Sequence, residues 1–147
     1  MTTVTSILGG EKELGQKVRR PIDFDGLIKT GIPSRVLSHI KAKFNLSDEV
    51  IARITGVSPR TVARRRKAVN VHEIERLSPV ESDRIYRFAR IIALAEGVFE
   101  GKEEALEWLN ASQQGLGGAI PFDMLQTDAG AREVEELLIR IDYGVIS

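Results

Sequence analysis

The sequence has no cysteine, which removes disulfides, thiolate nucleophiles and cysteine-ligated zinc together. Its two histidines, His39 and His72, are far apart and show no metal-ligand spacing. Prolines number only five, so extensive disorder is not expected. No apolar run reaches the roughly 18 residues of a membrane span, and the N-terminus lacks an apolar signal core. No membrane partner and a cytoplasmic location are therefore expected. No Ser-His-Asp arrangement stands out, and carboxylate pairs such as Glu103/Glu104 lie among polar and basic neighbours on apparent surface helices. These absences predict a protein that is not an enzyme and uses no metal or cofactor.

What is present is ordinary globular composition, with 42% hydrophobic and 29% charged residues over 147 positions. That length suffices for one compact core or two very small ones. The net charge is zero, but residues 1–77 hold 15 Lys and Arg against 8 Asp and Glu, while residues 78–147 hold 6 against 13. A basic half suits nucleic acid and an acidic half a protein partner; two solvated surfaces would give the same numbers. The division expected is a DNA-binding part over 1–77 and a protein-binding part over 78–147.

Periodicity and caps predict helices throughout, and no stretch alternates like a strand. Residues 1–6 read as a frayed end, with a short helix over 7–18 broken near Gly9-Gly10. A brief helix follows Pro21 and stops at Gly31. Pro33 opens another with Val36, Leu37, Ile40 and Phe44 on one stripe, ending at Asn45. Ser47 caps a helix that ends at Gly56, and Ser58-Pro59 starts one running to about Lys67. Residues 70–77 read as a connector with some helical content. Ser78-Pro79-Val80-Glu81 is a capping box for a long helix to Phe99. Its second half, Ile91 to Phe99, is apolar nearly all round, so two faces need covering, and a homodimer through this stretch is expected. Further helices span Lys102–Leu109, Pro121–Leu125 and the segment after Thr127, where Val134, Leu137, Leu138, Ile141 and Val145 recur at helical spacing. The fold class expected is all-α.

In the basic half, Ala52, Gly56 and Val62 stand at offsets 0, +4 and +10. This is the spacing of a helix-turn-helix: a small residue for close packing, glycine for the turn, an apolar anchor in the second helix. The second helix then offers Ser58, Arg60, Thr61, Arg64, Arg65, Arg66 and Lys67 to DNA. Arg60 and Arg64 suit base edges; Arg66 and Lys67 suit phosphates. No acidic residue lies between Val50 and His72. Arg65 occupies a position where such helices often carry an apolar residue. An αα-hairpin with a solvated basic face fits the same residues.

In the acidic half, Leu116-Gly117-Gly118, Pro121 with Leu125, Thr127 with Gly130, and Tyr143-Gly144 form an ordered constellation. The glycine pair permits a tight turn or a close backbone approach; with no preceding strand and no Lys-Ser/Thr after it, it is not a phosphate loop. Trp108 is the kind of residue that anchors a core, and Glu133, Glu135 and Glu136 fit a solvated helix face. The constellation, with Trp108-Leu109 before it, resembles the toxin-binding domain of the Xre/MbcA/ParS antitoxin family over about 70 residues. The basic half resembles the Xre-like part of the same family more loosely. The resemblance implies an antitoxin that neutralises a toxin of ADP-ribosyltransferase-like fold, in particular an NAD-consuming RES-domain toxin, by blocking its active site. It also implies repression of its own operon by a dimer reading two half-sites. The toxin-binding residues implied are Gly117, Gly118, Asp142, Tyr143, Gly144, Val145, Ile146 and Ser147. A stand-alone transcription regulator, with a C-terminal half that dimerises or senses a ligand, is the alternative.

Overall fold

The computed structural model describes residues 3–67 and 74–144, and the side chains of all of these except 66 and 67. The helices are α1 (Val4–Ile7), α2 (Gly10–Leu14), α3 (Pro21–Thr30), α4 (Arg35–Phe44), α5 (Asp48–Thr55), α6 (Pro59–Lys67), α7 (Pro79–Phe99), α8 (Lys102–Leu109) and α9 (Asp128–Asp142). Short 3-10 turns lie at Gln114–Leu116 and Pro121–Met124. The architecture is all-α, with an N-terminal helix-turn-helix region and a small C-terminal helical region.

The caps act where the sequence places them. The hydroxyls of Ser47, Ser78 and Thr127 accept from the amides of Val50, Glu81 and Gly130 at 3.2, 3.1 and 3.0 Å, each satisfying a donor with no partner inside its helix. At Ser78 the box closes, because its own amide donates to the Glu81 carboxylate at 2.9 Å. Asn45 ends α4 in the left-handed conformation.

Helix α7 is the spine. Helices α1, α3, α5, α8 and α9 all pack against it, and Ile85, Phe88, Ala89, Ile91, Ile92 and Ala95 are buried along it. Phe88 lies at the centre, edge-on to Phe44 at 6.0 Å and tilted against Phe122 at 5.8 Å, separations at which aromatic pairs attract. One hydrophobic cluster runs from Ile7 to Leu138.

Three expectations change. Residues 3–6 are not frayed: Thr3 and Ser6 form a reciprocal cap on α1, and Ile7 and Leu8, directly after, are wholly buried. A four-residue helix carries too little periodicity to announce itself as a packing element. Residues 74–77 carry no helix. They run extended, the amides of Ser34 and Leu77 donating to the carbonyls of Glu75 and Ile32 at 2.8 Å each around a Pro33–Arg76 bridge. Pro33 therefore precedes α4, and Pro79 keeps Ser78 extended. The rest of the expected connector lies outside the described residues. The third change concerns the helix expected over 7–18, which ends at Leu14 with Gly15 at φ 77°. In the apolar half of α7, Ile91, Ile92 and Ala95 are covered by the chain's own helices, while Leu94 and Val98 remain half-buried.

Phe122 is buried and sits between Phe88 and the start of α9. Truncating it to alanine leaves a cavity that the rigid spine cannot close. A Phe122→Ala protein should lose about 3–5 kcal/mol of stability, read as a lower urea midpoint with unchanged slope.

Candidate functional site

Helices α5 and α6 form the helix-turn-helix. Ala52 and Val62, the small residue and the anchor, are both buried, and Gly56 turns the chain at φ 79°, a left-handed conformation open to glycine. A Cβ there would meet only the guanidinium of Arg84, the mobile end of a long side chain, so it is the left-handed backbone that calls for glycine. Ser58 caps α6, accepting from the Thr61 amide at 3.1 Å while its hydroxyl donates to that of Thr61 at 2.9 Å. Arg60 and Arg64 lie one turn apart on the exposed face, and neither has an ion pair among the described residues.

The structure turns Arg65 away from this pair. Its guanidinium donates to the Glu81 carboxylate on α7, which is only 6% exposed. An arginine at a position suited to an apolar side chain is thereby accommodated, and it braces α6 against the spine. The side chains of Arg66 and Lys67 lie outside those described.

In the C-terminal region Gly117 and Gly118 sit at φ 66° and 90°, Gly117 in open space and Gly118 beside the Ser112 hydroxyl. The loop closes through the Gly118 amide to the Gln113 carbonyl at 2.9 Å and the Ser112 hydroxyl to the Gly118 carbonyl at 2.6 Å. The pair thus makes a tight turn, not a close approach. Asp142 ends α9 and is exposed; Tyr143 follows with 80% of its surface free, and Gly144 is at φ 77°. Val145, Ile146 and Ser147 lie outside the described residues. One turn before Tyr143, Ile139 is also exposed at 41%, an apolar neighbour that sequence periodicity does not single out because it lies off the core stripe.

A second group has no sequence signal at all. Arg53 pairs with Asp123 at 2.9 Å, and Arg90 with Glu135 at 3.2 Å. Arg87 donates to the Leu125 carbonyl at 3.0 Å, and Arg84 to the Thr55 and Gln126 carbonyls at 2.6 and 3.2 Å. Together they join the helix-turn-helix and α7 to the segment leading into α9, so part of the charge asymmetry is satisfied inside the fold. Among the described residues no acid or histidine cluster could hold a metal, and no helix is long and apolar enough to cross a membrane.

Fold and surfaces define a helix-turn-helix DNA-binding protein whose C-terminal region carries a separate task. Residues 23–90 match the antitoxin Xre-like helix-turn-helix domain, and residues 94–144 match the antitoxin Xre/MbcA/ParS C-terminal toxin-binding domain. The chain is 34% identical over 137 residues to the antitoxin Xre of Yersinia enterocolitica, covering 92% of this chain and 89% of that one. It is 31% identical to the antitoxin Xre of Photorhabdus laumondii, covering 84% and 80% respectively. A Sphingobium protein called Prs ADP-ribosylating antitoxin is 26% identical, covering 86% and 82%. The chain belongs to the Xre/MbcA/ParS antitoxin family. It is a regulatory protein, not a catalytic one, with a DNA-binding helix-turn-helix and a toxin-binding domain.

Burial of Glu81 pushes its pKa up, but hydrogen bonds from Arg65 and Ser78, with the Arg65 charge, outweigh this and hold it below the ordinary 4.5. A carboxyl depressed on folding contributes stability that is complete above that value and lost as pH falls through the folded pKa. Wild-type stability should therefore fall as the solution is acidified below pH 4.5. Glu81→Gln should cost about 1–3 kcal/mol at neutral pH and show a shallower acid decline in urea titrations; equal declines for both proteins would remove the pair from this role.

Proposed function

We propose that α6 enters the major groove of operator DNA in the antitoxin's own promoter. In this reading Arg60 and Arg64 meet base edges, the Ser58–Thr61 cap approaches the backbone, and Arg66 and Lys67 neutralise phosphates. Arg65 contributes through its brace to Glu81. The observation that carries the reading is the pair of exposed arginines, without ion pairs among the described residues, on the face of α6 opposite Val62. Two copies of the chain read paired half-sites, a consequence of the two-fold symmetry common to such operators; a footprint of one half-site would overturn the pairing. Replacing Arg60 and Arg64 with alanine should cost about 1–3 kcal/mol for each base-reading arginine removed. Fluorescence anisotropy at fixed salt checks this, and equal operator affinity of double mutant and wild type overturns the assignment.

The other end of the molecule binds the toxin in the cytoplasm, and the partner is a RES-domain toxin of ADP-ribosyltransferase-like fold that consumes NAD. The match of residues 94–144 to a toxin-binding domain supports a toxin partner. The Sphingobium relative's name ties ADP-ribosylation to that relative, and ADP-ribosylation also draws on NAD. Tyr143 and Ile139 are the exposed large apolar side chains of the matched segment; they lead into Gly144-Val145-Ile146-Ser147, which occupies the toxin's cleft, with the Gly117-Gly118 turn at the rim. A buried tyrosine keeps a hydrogen-bonding hydroxyl, and each of Val145 and Ile146 adds about 1.5–3 kcal/mol if fully buried, offset in part by ordering the chain.

A chain truncated after Asp142 should keep its helical circular dichroism and its operator affinity. Co-expressed with the toxin, it should no longer preserve cellular NAD or growth. A folded truncated protein that protects as well as the full chain would shift inhibition to α9 itself.

A further inference from the structure

Arg84 makes two contacts that belong to different parts of the molecule. Its Nη1 donates to the Thr55 carbonyl at 2.6 Å, and its Nε donates to the Gln126 carbonyl at 3.2 Å. Thr55 is the last residue of α5, so its carbonyl has no partner within the helix and lies at the negative end of the helix dipole. A guanidinium there is a charged C-terminal cap. Three residues later Ser58 begins α6, so whatever fixes Thr55 fixes the pivot of the turn.

The pivot is built around this side chain. Gly56 lies against the guanidinium, which a Cβ at that position would have to push aside. On the far side, Arg84 is itself held, because the carbonyl it grips belongs to a braced segment: Arg53 pairs with Asp123 and Arg87 donates to Leu125. One turn earlier on the same face of α7, Glu81 receives Arg65 from α6. The reading helix is thus tied to the spine near its start through Thr55 and Gly56, and near its end through Arg65. Two ties fix an angle where one would leave a hinge.

We infer that Arg84 is a positioning residue for operator reading: it touches no DNA, and it sets the approach of α6 by clamping the end of α5 to the segment before α9. The inference rests on the proposal that α6 reads bases. Bidentate arginine–base contacts depend steeply on angle and distance, whereas phosphate contacts tolerate a small rotation. Loss of the clamp therefore lowers specificity before it lowers general affinity.

The test uses the full chain as wild type, Arg84→Gln and Arg84→Lys, titrated across salt concentrations against operator duplex and against a scrambled duplex of equal length. The glutamine variant should lose about ten-fold in operator affinity, within the discrimination carried by one bidentate arginine–base contact, with scrambled-duplex affinity and salt slope unchanged. Lysine keeps the charge but cannot span both carbonyls, so its operator-to-scrambled ratio should fall between the two. An unchanged ratio in Arg84→Gln overturns the inference, as does a parallel loss on both duplexes. A salt slope shallower by about one unit overturns it too, since that marks direct phosphate contact. If the glutamine variant does not fold, a wild-type ratio in Arg84→Lys overturns it instead. A wild-type chain that fails to prefer operator removes the base-reading proposal itself, an outcome separate from all of these.

Discussion

A long helix with an apolar stripe running through it must have that stripe covered, and α7 imposes the demand on the rest of the chain. Hydrophobic burial is non-directional, so it draws helices to the spine without deciding how they sit. Direction comes from polar groups along α7, among them Glu81, Ser82, Arg84, Arg87 and Arg90. Ser82 shows how these work. Its hydroxyl accepts from the Ile32 amide at 2.8 Å in a buried setting, which fixes the start of the extended pairing between residues 32–34 and 75–77. An unmade bond there would cost about 1–3 kcal/mol, enough to select one arrangement among several of similar apolar burial.

The arginines of α7 and α5 work mainly on backbone carbonyls and partly exposed carboxylates. Pairs such as Arg132–Asp128, with both side chains well exposed, contribute little stability in water. The carbonyl contacts differ, because they satisfy helix ends and turns that would otherwise be left short of donors. Their effect is geometric: they define how the segment entering α9 lies against α5.

Most of the helical layout is legible in local signals. Ser47, Ser58, Ser78 and Thr127 announce helix starts, and Gly56 and Asn45 announce stops, since capping depends on residues within one turn of each other. The Ala52, Gly56, Val62 spacing reveals the helix-turn-helix for the same reason. The roles of Arg65 and Arg84 are not legible. Arg84 reads as a surface cation and Arg65 as a cation at a position suited to an apolar residue, but their partners are 16 residues away for Arg65 and 29 and 42 away for Arg84, with no periodic pattern linking them. The extended pairing of 32–34 with 75–77 is hidden likewise, because two three-residue strands separated by some forty positions have no alternation to display. For the toxin-binding surface, the constellation from Leu116 to Gly144 carries the signal, while Ile139 draws no notice because it lies off the stripe of Val134, Leu137 and Leu138.

The two matched regions meet inside α7, between residues 90 and 94, where the helix runs unbroken. No flexible tether separates the end that meets DNA from the end that meets a protein. Under the proposed function, whatever docks on α9 is carried at a fixed distance and rotation from the groove that α6 enters. On an operator with two half-sites the DNA would then act as a ruler: its base-pair count sets how far apart two docked proteins stand and whether they face or avoid each other.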